Sequence, residues 1–206
     1  MIARAGLALG LWIALAAGAP PLNFVPMEPR FAEGAEEYRQ LWESEGPRMV
    51  EEMERLTGLA FPADPVEVLV RDGPPMTAFD GRTIRLRARC SPGCKLGTFT
   101  HELGHRLALL LPRTVEIDDH RLLYLFLYDA WTDLYGQEFA DRMVRLERRI
   151  PGVYDYDAAW TWALAMTREQ RQARLRTLAA LRVAPPAGPA GGPRLDYRFD
   201  GLDNGP

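Results

Sequence analysis

Gly97-Thr-Phe-Thr-His-Glu-Leu-Gly-His-Arg-Leu-Ala-Leu-Leu-Leu111, closed by Pro112, is the stretch around which the rest of the chain is read. Residues three and four apart share a helical face, so Phe99, Leu103, Leu107 and Leu110 form an apolar stripe. His101 and His105 fall together on another face, and Pro112 ends the helix. His101-Glu102-Leu103-Gly104-His105 has the H-E-x-x-H spacing: two imidazoles one turn apart reach one metal ion, and the carboxylate stands beside its open position. Gly104 removes bulk between the two imidazoles. With 3 His and 15 Glu in 206 residues, random placement yields about 0.003 such pentads, so chance is a poor explanation.

Working outward, the pattern predicts an α+β domain over residues 17–183. Upstream, residues 30–59 are helical in pattern, with a break near Gly46-Pro47 and a cap at Gly58. Val66-Glu-Val-Leu-Val70 alternates as a strand. Met76–Phe79 and Thr83–Arg87 flank Asp80-Gly81, a hairpin signal, so a small antiparallel sheet is expected to pack with the motif helix. Cys90-Ser-Pro-Gly-Cys94 is a tight loop. Downstream, one long helix is expected over 119–148 and another over 158–182.

The ends differ from this middle. No charged side chain lies between Arg4 and Glu28. Arg4, the apolar run Leu7–Ala17 and the small-x-small triplet Ala14-Leu15-Ala16 read as a signal peptide over residues 1–16, hence a secreted or periplasmic protein. Pro20, Pro21 and Pro26 keep the apolar run short of the roughly 20 residues a membrane span needs. Ala184–Pro193 is Pro- and Gly-rich, and residues 184–206 read as a flexible tail. A net charge of -3 gives no basic footprint for nucleic acid, and 2 Cys are too few for a disulfide scaffold or a four-thiolate zinc site.

On the pentad, the chain resembles the zincin metallopeptidases. The resemblance covers the strand-rich segment, the motif helix and the helix after it. Arg106 stands where the family usually has an uncharged residue, and Ala108 and Leu111 stand where the metzincin extension has Gly and His. The resemblance implies a zinc-dependent peptidase acting on a peptide or protein, with Zn2+ on His101 and His105, a metal-activated water, and Glu102 as general base.

A third ligand is then needed from among Glu116, Asp118, Asp119, His120, Asp129, Asp133 and Glu138. Asp129 and Asp133 are the only charges in the apolar stretch Leu122–Tyr135, and buried carboxylates need a cation. On one continuous helix, His120 and Glu138 each project about 180° from Asp129. Asp129-Ala-Trp-Thr-Asp133 is similar to the gluzincin Glu-x-x-x-Asp, which makes Asp129 the ligand and Asp133 its support. Asp133-Leu-Tyr-Gly136 resembles the aspzincin pattern, which makes Asp133 the ligand. The alternative is that both pair with Arg106 or Arg142.

Tyr128, Tyr135, His120, Tyr154 and Tyr156 are candidates to stabilise an oxyanion; His120 also reads as a surface residue at a helix start. In an exported protein Cys90 and Cys94 would close a small disulfide loop. Zincins place a sheet edge beside the cleft, and Thr83–Ala88, with its arginines, is the candidate edge. Two rival functions share the motif: a metal-stabilised binding domain without turnover, and a zinc hydrolase of a non-peptide substrate.

Overall fold

The computed structural model describes residues 18–152 and 154–181, so the segments read as a signal peptide and as a tail lie outside the described residues. A mixed α+β fold results. Strand β1 (Leu22–Pro26) leads through a single 3-10 turn into helix α1 (Ala32–Thr57). Strand β2 (Val66–Arg71), the short strand β3 (Met76–Thr77) and strand β4 (Thr83–Arg87) follow, then helix α2 (Pro92–Ala108). Five shorter helices complete the chain: α3 (Asp119–Tyr124), α4 (Leu127–Tyr135), α5 (Gln137–Glu147), α6 (Tyr156–Leu164) and α7 (Arg168–Ala180). Among the described residues, no helix is long and apolar enough to cross a membrane.

The sheet runs β1-β2-β4-β3. It is not the antiparallel sheet expected from the hairpin signal: β1, β2 and β4 are mutually parallel, and only β3 runs against β4. The hairpin does form, with Gly81 at φ 67 in its turn. Its second strand, however, docks on β2, with Val68 opposite Ile84. Val68, Val70, Ile84 and Leu86 are fully buried, as central parallel strands require. β3 is thereby left as one edge of the sheet, with β1 at the other, and β4, which carries Arg85 and Arg87, is an interior strand; the assignment of Thr83–Ala88 as the edge is corrected accordingly.

α1 is continuous through Pro47, where a break is expected from sequence. Pro47 faces solvent, while Tyr38, Met49, Val50, Met53 and Leu56 hold both halves of the helix in the core. Packing of that face outweighs the one lost hydrogen bond. Gly46 is required where it stands, because a Cβ there would lie 2.5 Å from the Trp42 ring. Gly58 closes the helix at φ 67, its N–H donating to the Glu54 carbonyl.

α2 is the central helix. Ser91 caps it by accepting from the Cys94 N–H, and Pro92 opens its first turn, five residues earlier than the apolar periodicity suggests. Phe99 is fully buried, with Phe24, Tyr38 and Trp42 edge-on at 5.8–6.0 Å. Leu103 and Leu107 continue this stripe and are also fully buried.

The expected long helix over 119–148 is three helices. Turn-type bonds from the N–H groups of Leu125 and Phe126 to Leu122 and Leu123 end α3, and Gly136, at φ 86, separates α4 from α5. The helix expected over 158–182 is likewise two, divided where Thr167 and Gln170 form a reciprocal capping box at the start of α7.

Candidate metal centre

α2 and α3 bring three imidazoles together. One nitrogen of each of His101, His105 and His120 lies within 4.8 Å of the others, and the three are close enough to bind one metal ion. The Nε2 atoms of His101 and His105 are 3.1 Å apart. Two nitrogens on one tetrahedral zinc are about 3.3 Å apart, from bond lengths of 2.0–2.1 Å, so the pair matches such an ion. The His120 ring centroid lies 5.5 Å from that of His101 and 4.9 Å from that of His105. Gly104 makes this approach possible. A Cβ there would meet Leu123 Cδ1 of α3 at 2.6 Å, so the glycine serves helix packing rather than space between the two imidazoles.

His101 is fixed by Glu147, the last residue of α5. The Nδ1–H donates to Oε1 at 2.7 Å, which leaves Nε2 facing the cluster. The other carboxylate oxygen of Glu147 accepts from the Tyr124 hydroxyl and from Trp160 Nε1, each at 2.9 Å. The Tyr124 and Trp160 rings stack at 3.7 Å, so both donors are held by packing. Burial alone would push the Glu147 pKa up. The His101 charge and these three hydrogen bonds outweigh it and hold the carboxyl below its usual range. For His101 burial opposes the charged form, but Glu147 and then Glu102 overcome it and the pKa is raised. His105 is pushed well down by burial and by the charges of His101 and His120. His120 is lowered to about 4, by burial first and then by His101.

Glu102 lies one residue along α2 from His101 and is 4% exposed. The Thr77 hydroxyl, from the edge strand β3, is 2.7 Å from Oε2 and 2.8 Å from the Glu102 backbone carbonyl. Burial raises the Glu102 pKa; His101 and Thr77 act against this and Glu147 adds to it. Tyr154 and Tyr156 cover His120, with ring centroids at 4.5 and 4.9 Å. The Tyr154 hydroxyl donates to Asp118 at 2.7 Å. The Tyr156 phenol has its pKa raised, by burial first and then by the charges of Glu147 and Glu102.

Asp129 and Asp133 do not join the cluster, and the expectation that one of them is the third ligand is corrected. Asp129 is 3% exposed and takes both Nη2 (2.5 Å) and Nε (3.3 Å) of the buried Arg171 on α7. Asp133 is held by Arg168 on α7 and, at 2.7 Å, by Arg55 on α1. An arginine meets each carboxylate, although only Asp129 is buried and Asp133 is exposed; these arginines lie 42, 35 and 78 residues away in sequence and are neither Arg106 nor Arg142. Arg106 lies over the Phe61 ring and donates to the Asp64 carbonyl.

The projection of His120 away from Asp129 holds only on one continuous helix, and the turn at Leu125–Phe126 breaks that helix. Glu147 went unnoticed among Arg145, Arg148 and Arg149. The signal was present in both cases. Ala140, Met143, Val144 and Glu147 form one i, i+3, i+4, i+7 stripe that is otherwise apolar, and His120 heads a buried face with Leu123 and Tyr124. Tyr128 and Tyr135, also considered as oxyanion donors, lie elsewhere: Tyr128 donates to Asp141, and Tyr135 packs on Phe139. Comparison of the chain with protein-family models, with curated proteins and with solved structures yields no match.

Proposed function

We propose that the protein is a zinc-dependent hydrolase, and specifically a peptidase, with His101, His105 and His120 as metal ligands and Glu102 as general base. The observation that carries this reading is the convergence of three imidazole nitrogens beside a buried carboxylate that is itself held by Thr77. Nitrogen donors of this kind suit zinc. When bound, the metal would supply Lewis acidity toward water and a substrate carbonyl.

The remaining chemistry belongs to the chain. Glu102 accepts a proton from the attacking water and delivers it to the leaving amine. Thr77 keeps Oε2 oriented, leaving Oε1 for that exchange. Glu147 holds His101 in the tautomer whose Nε2 is free. Tyr156 supplies a neutral phenol to a developing oxyanion. The β3 register favours a peptide substrate. Ala78 donates to Thr83, and the residues alternate, so the Thr77 N–H and carbonyl face the open edge, where an extended chain can pair. The uncharged stretch between Arg4 and Glu28 supports an exported setting.

A metal-stabilised binding domain without turnover is favoured by one observation, the enclosure of the cluster by Tyr124, Tyr154 and Tyr156. Cleavage of a fluorogenic peptide library by zinc-loaded wild type and Glu102→Gln separates the two readings. The peptidase reading expects turnover by the wild type and a loss of about 10²–10⁴-fold in the variant, with zinc content unchanged. A zinc-loaded wild type that cleaves nothing supports the binding domain.

A further inference from the structure

The connection from β4 to α2 carries two thiols that the metal centre does not use. Cys90 directly precedes the cap residue Ser91, and Cys94 lies in the first turn of α2 with its N–H on Ser91 Oγ at 3.3 Å. Both are free and half-buried, open to a small reagent. The two cysteines flank the cap residue Ser91, and Arg87 at the end of β4 adds positive charge near both. The two sulfurs are inequivalent. Cys94 lies at the positive end of a 17-residue helix, and Cys90 lies outside that helix. In keeping with this, the Cys94 thiol is lowered to about 6 and the Cys90 thiol is pushed up.

We propose that Cys90 and Cys94 form a redox-exchangeable disulfide at the head of the metal-bearing helix, with Cys94 as the attacking thiol and Cys90 as the resolving thiol. The oxidant class is a low-molecular-weight disulfide of the glutathione type. The Cys94 thiolate attacks one sulfur of that disulfide, forming a mixed disulfide and releasing one small thiolate. Cys90 then loses its proton to solvent and attacks the Cys94 sulfur, releasing the second. Two protein thiols are oxidised by two electrons, and one small disulfide is reduced to two thiols. Stabilisation of the Cys94 thiolate favours the reduced state, so the bond is exchangeable rather than a permanent cross-link. When formed, it ties the exit of β4 to the first turn of the helix bearing His101, Glu102 and His105. This inference does not depend on the peptidase reading.

The test uses the full chain, zinc-loaded, equilibrated in glutathione buffers of graded oxidised-to-reduced ratio, quenched with acid and mapped by peptide mass. The expected result is a reversible loss of two hydrogens from the peptide holding both cysteines. Cys90→Ser should trap glutathione on Cys94, and Cys94→Ser should leave Cys90 unmodified in the same buffers. At pH 7, iodoacetamide should label Cys94 at least about fivefold faster than Cys90, since the gain in thiolate exceeds the loss of intrinsic nucleophilicity. Zinc content in the same samples shows that each variant is folded. Equal labelling rates, a dithiol at every ratio, or a bond that resists dithiothreitol would each overturn the proposal.

Discussion

At the scale of the residue, Thr77 has one hydroxyl hydrogen and two oxygens of Glu102 within reach. A hydroxyl donates once, so Thr77 gives its hydrogen either to Oε2 or to the backbone carbonyl. In the second state it is an acceptor for a protonated Oε2. The same residue thus serves both the charged and the neutral form of the carboxyl proposed as general base, which a plain packing residue could not do. Thr77→Val, nearly the same shape, should lower kcat about tenfold or more with KM and zinc content little changed, since hydrogen bonds to charged groups contribute about 1.5–3 kcal/mol. Thr77→Ser should recover most of the loss. Equal rates for the valine and threonine forms would remove Thr77 from the account.

At the scale of the element, the short helices after α2 decide the site. α3 ends at Tyr124 and α4 restarts at Leu127, so His120 and Asp129 point independently: one to α2, the other to α7. Asp129→Ala would leave Arg171 buried without its partner and should cost about 3–5 kcal/mol of stability, read as the urea midpoint, while the metal stays. The motif helix and the β3–β4 hairpin were legible in the sequence because their signals are local: a 3.6-residue stripe, two histidines one turn apart, an Asp-Gly turn. The sheet's parallel order was not, because it depends on β1 and β4 docking on either side of β2, and no local pattern records that. The break at Leu125–Phe126 carries no Gly or Pro and was invisible for the same reason. That single turn is why the sequence points past His120 to Asp129 and Asp133; of these, Asp129 is buried and does take a cation, while Asp133 is exposed.

At the scale of the whole molecule, five groups of the site couple folding to pH. His120 is held near about 4 in the folded chain, against about 6.5 when unfolded, so the folded state binds fewer protons between those values. That contribution is fully present above pH 6.5 and is lost as pH falls toward 4. His105, also lowered, acts in the same direction over the same range, and Glu147, lowered from an ordinary carboxyl value, does so only at more acid pH. His101 and Glu102 are raised and act oppositely, their contributions present below about 6.5 and 4.5 and lost as pH rises through their folded values. His120→Asn should therefore make the chelator-treated protein more stable at pH 5, relative to pH 7, than the wild type is, read as urea midpoints at the two pH values. Bound metal adds stability as RT ln(1 + [M]/Kd), so the zinc-loaded form should melt higher at pH 7 and converge on the metal-free form in acid, as protons displace the ion.

We propose that α3, not α4, completes the metal centre, and metal content per chain distinguishes the two helices. Wild type, His120→Ala and Asp133→Asn, purified alike and dialysed against trace zinc, would be compared by elemental analysis with circular dichroism as the folding control. The account predicts about one zinc per chain in the wild type and in Asp133→Asn, and a folded, zinc-free His120→Ala. Zinc retained by His120→Ala and lost from a folded Asp133→Asn would contradict it.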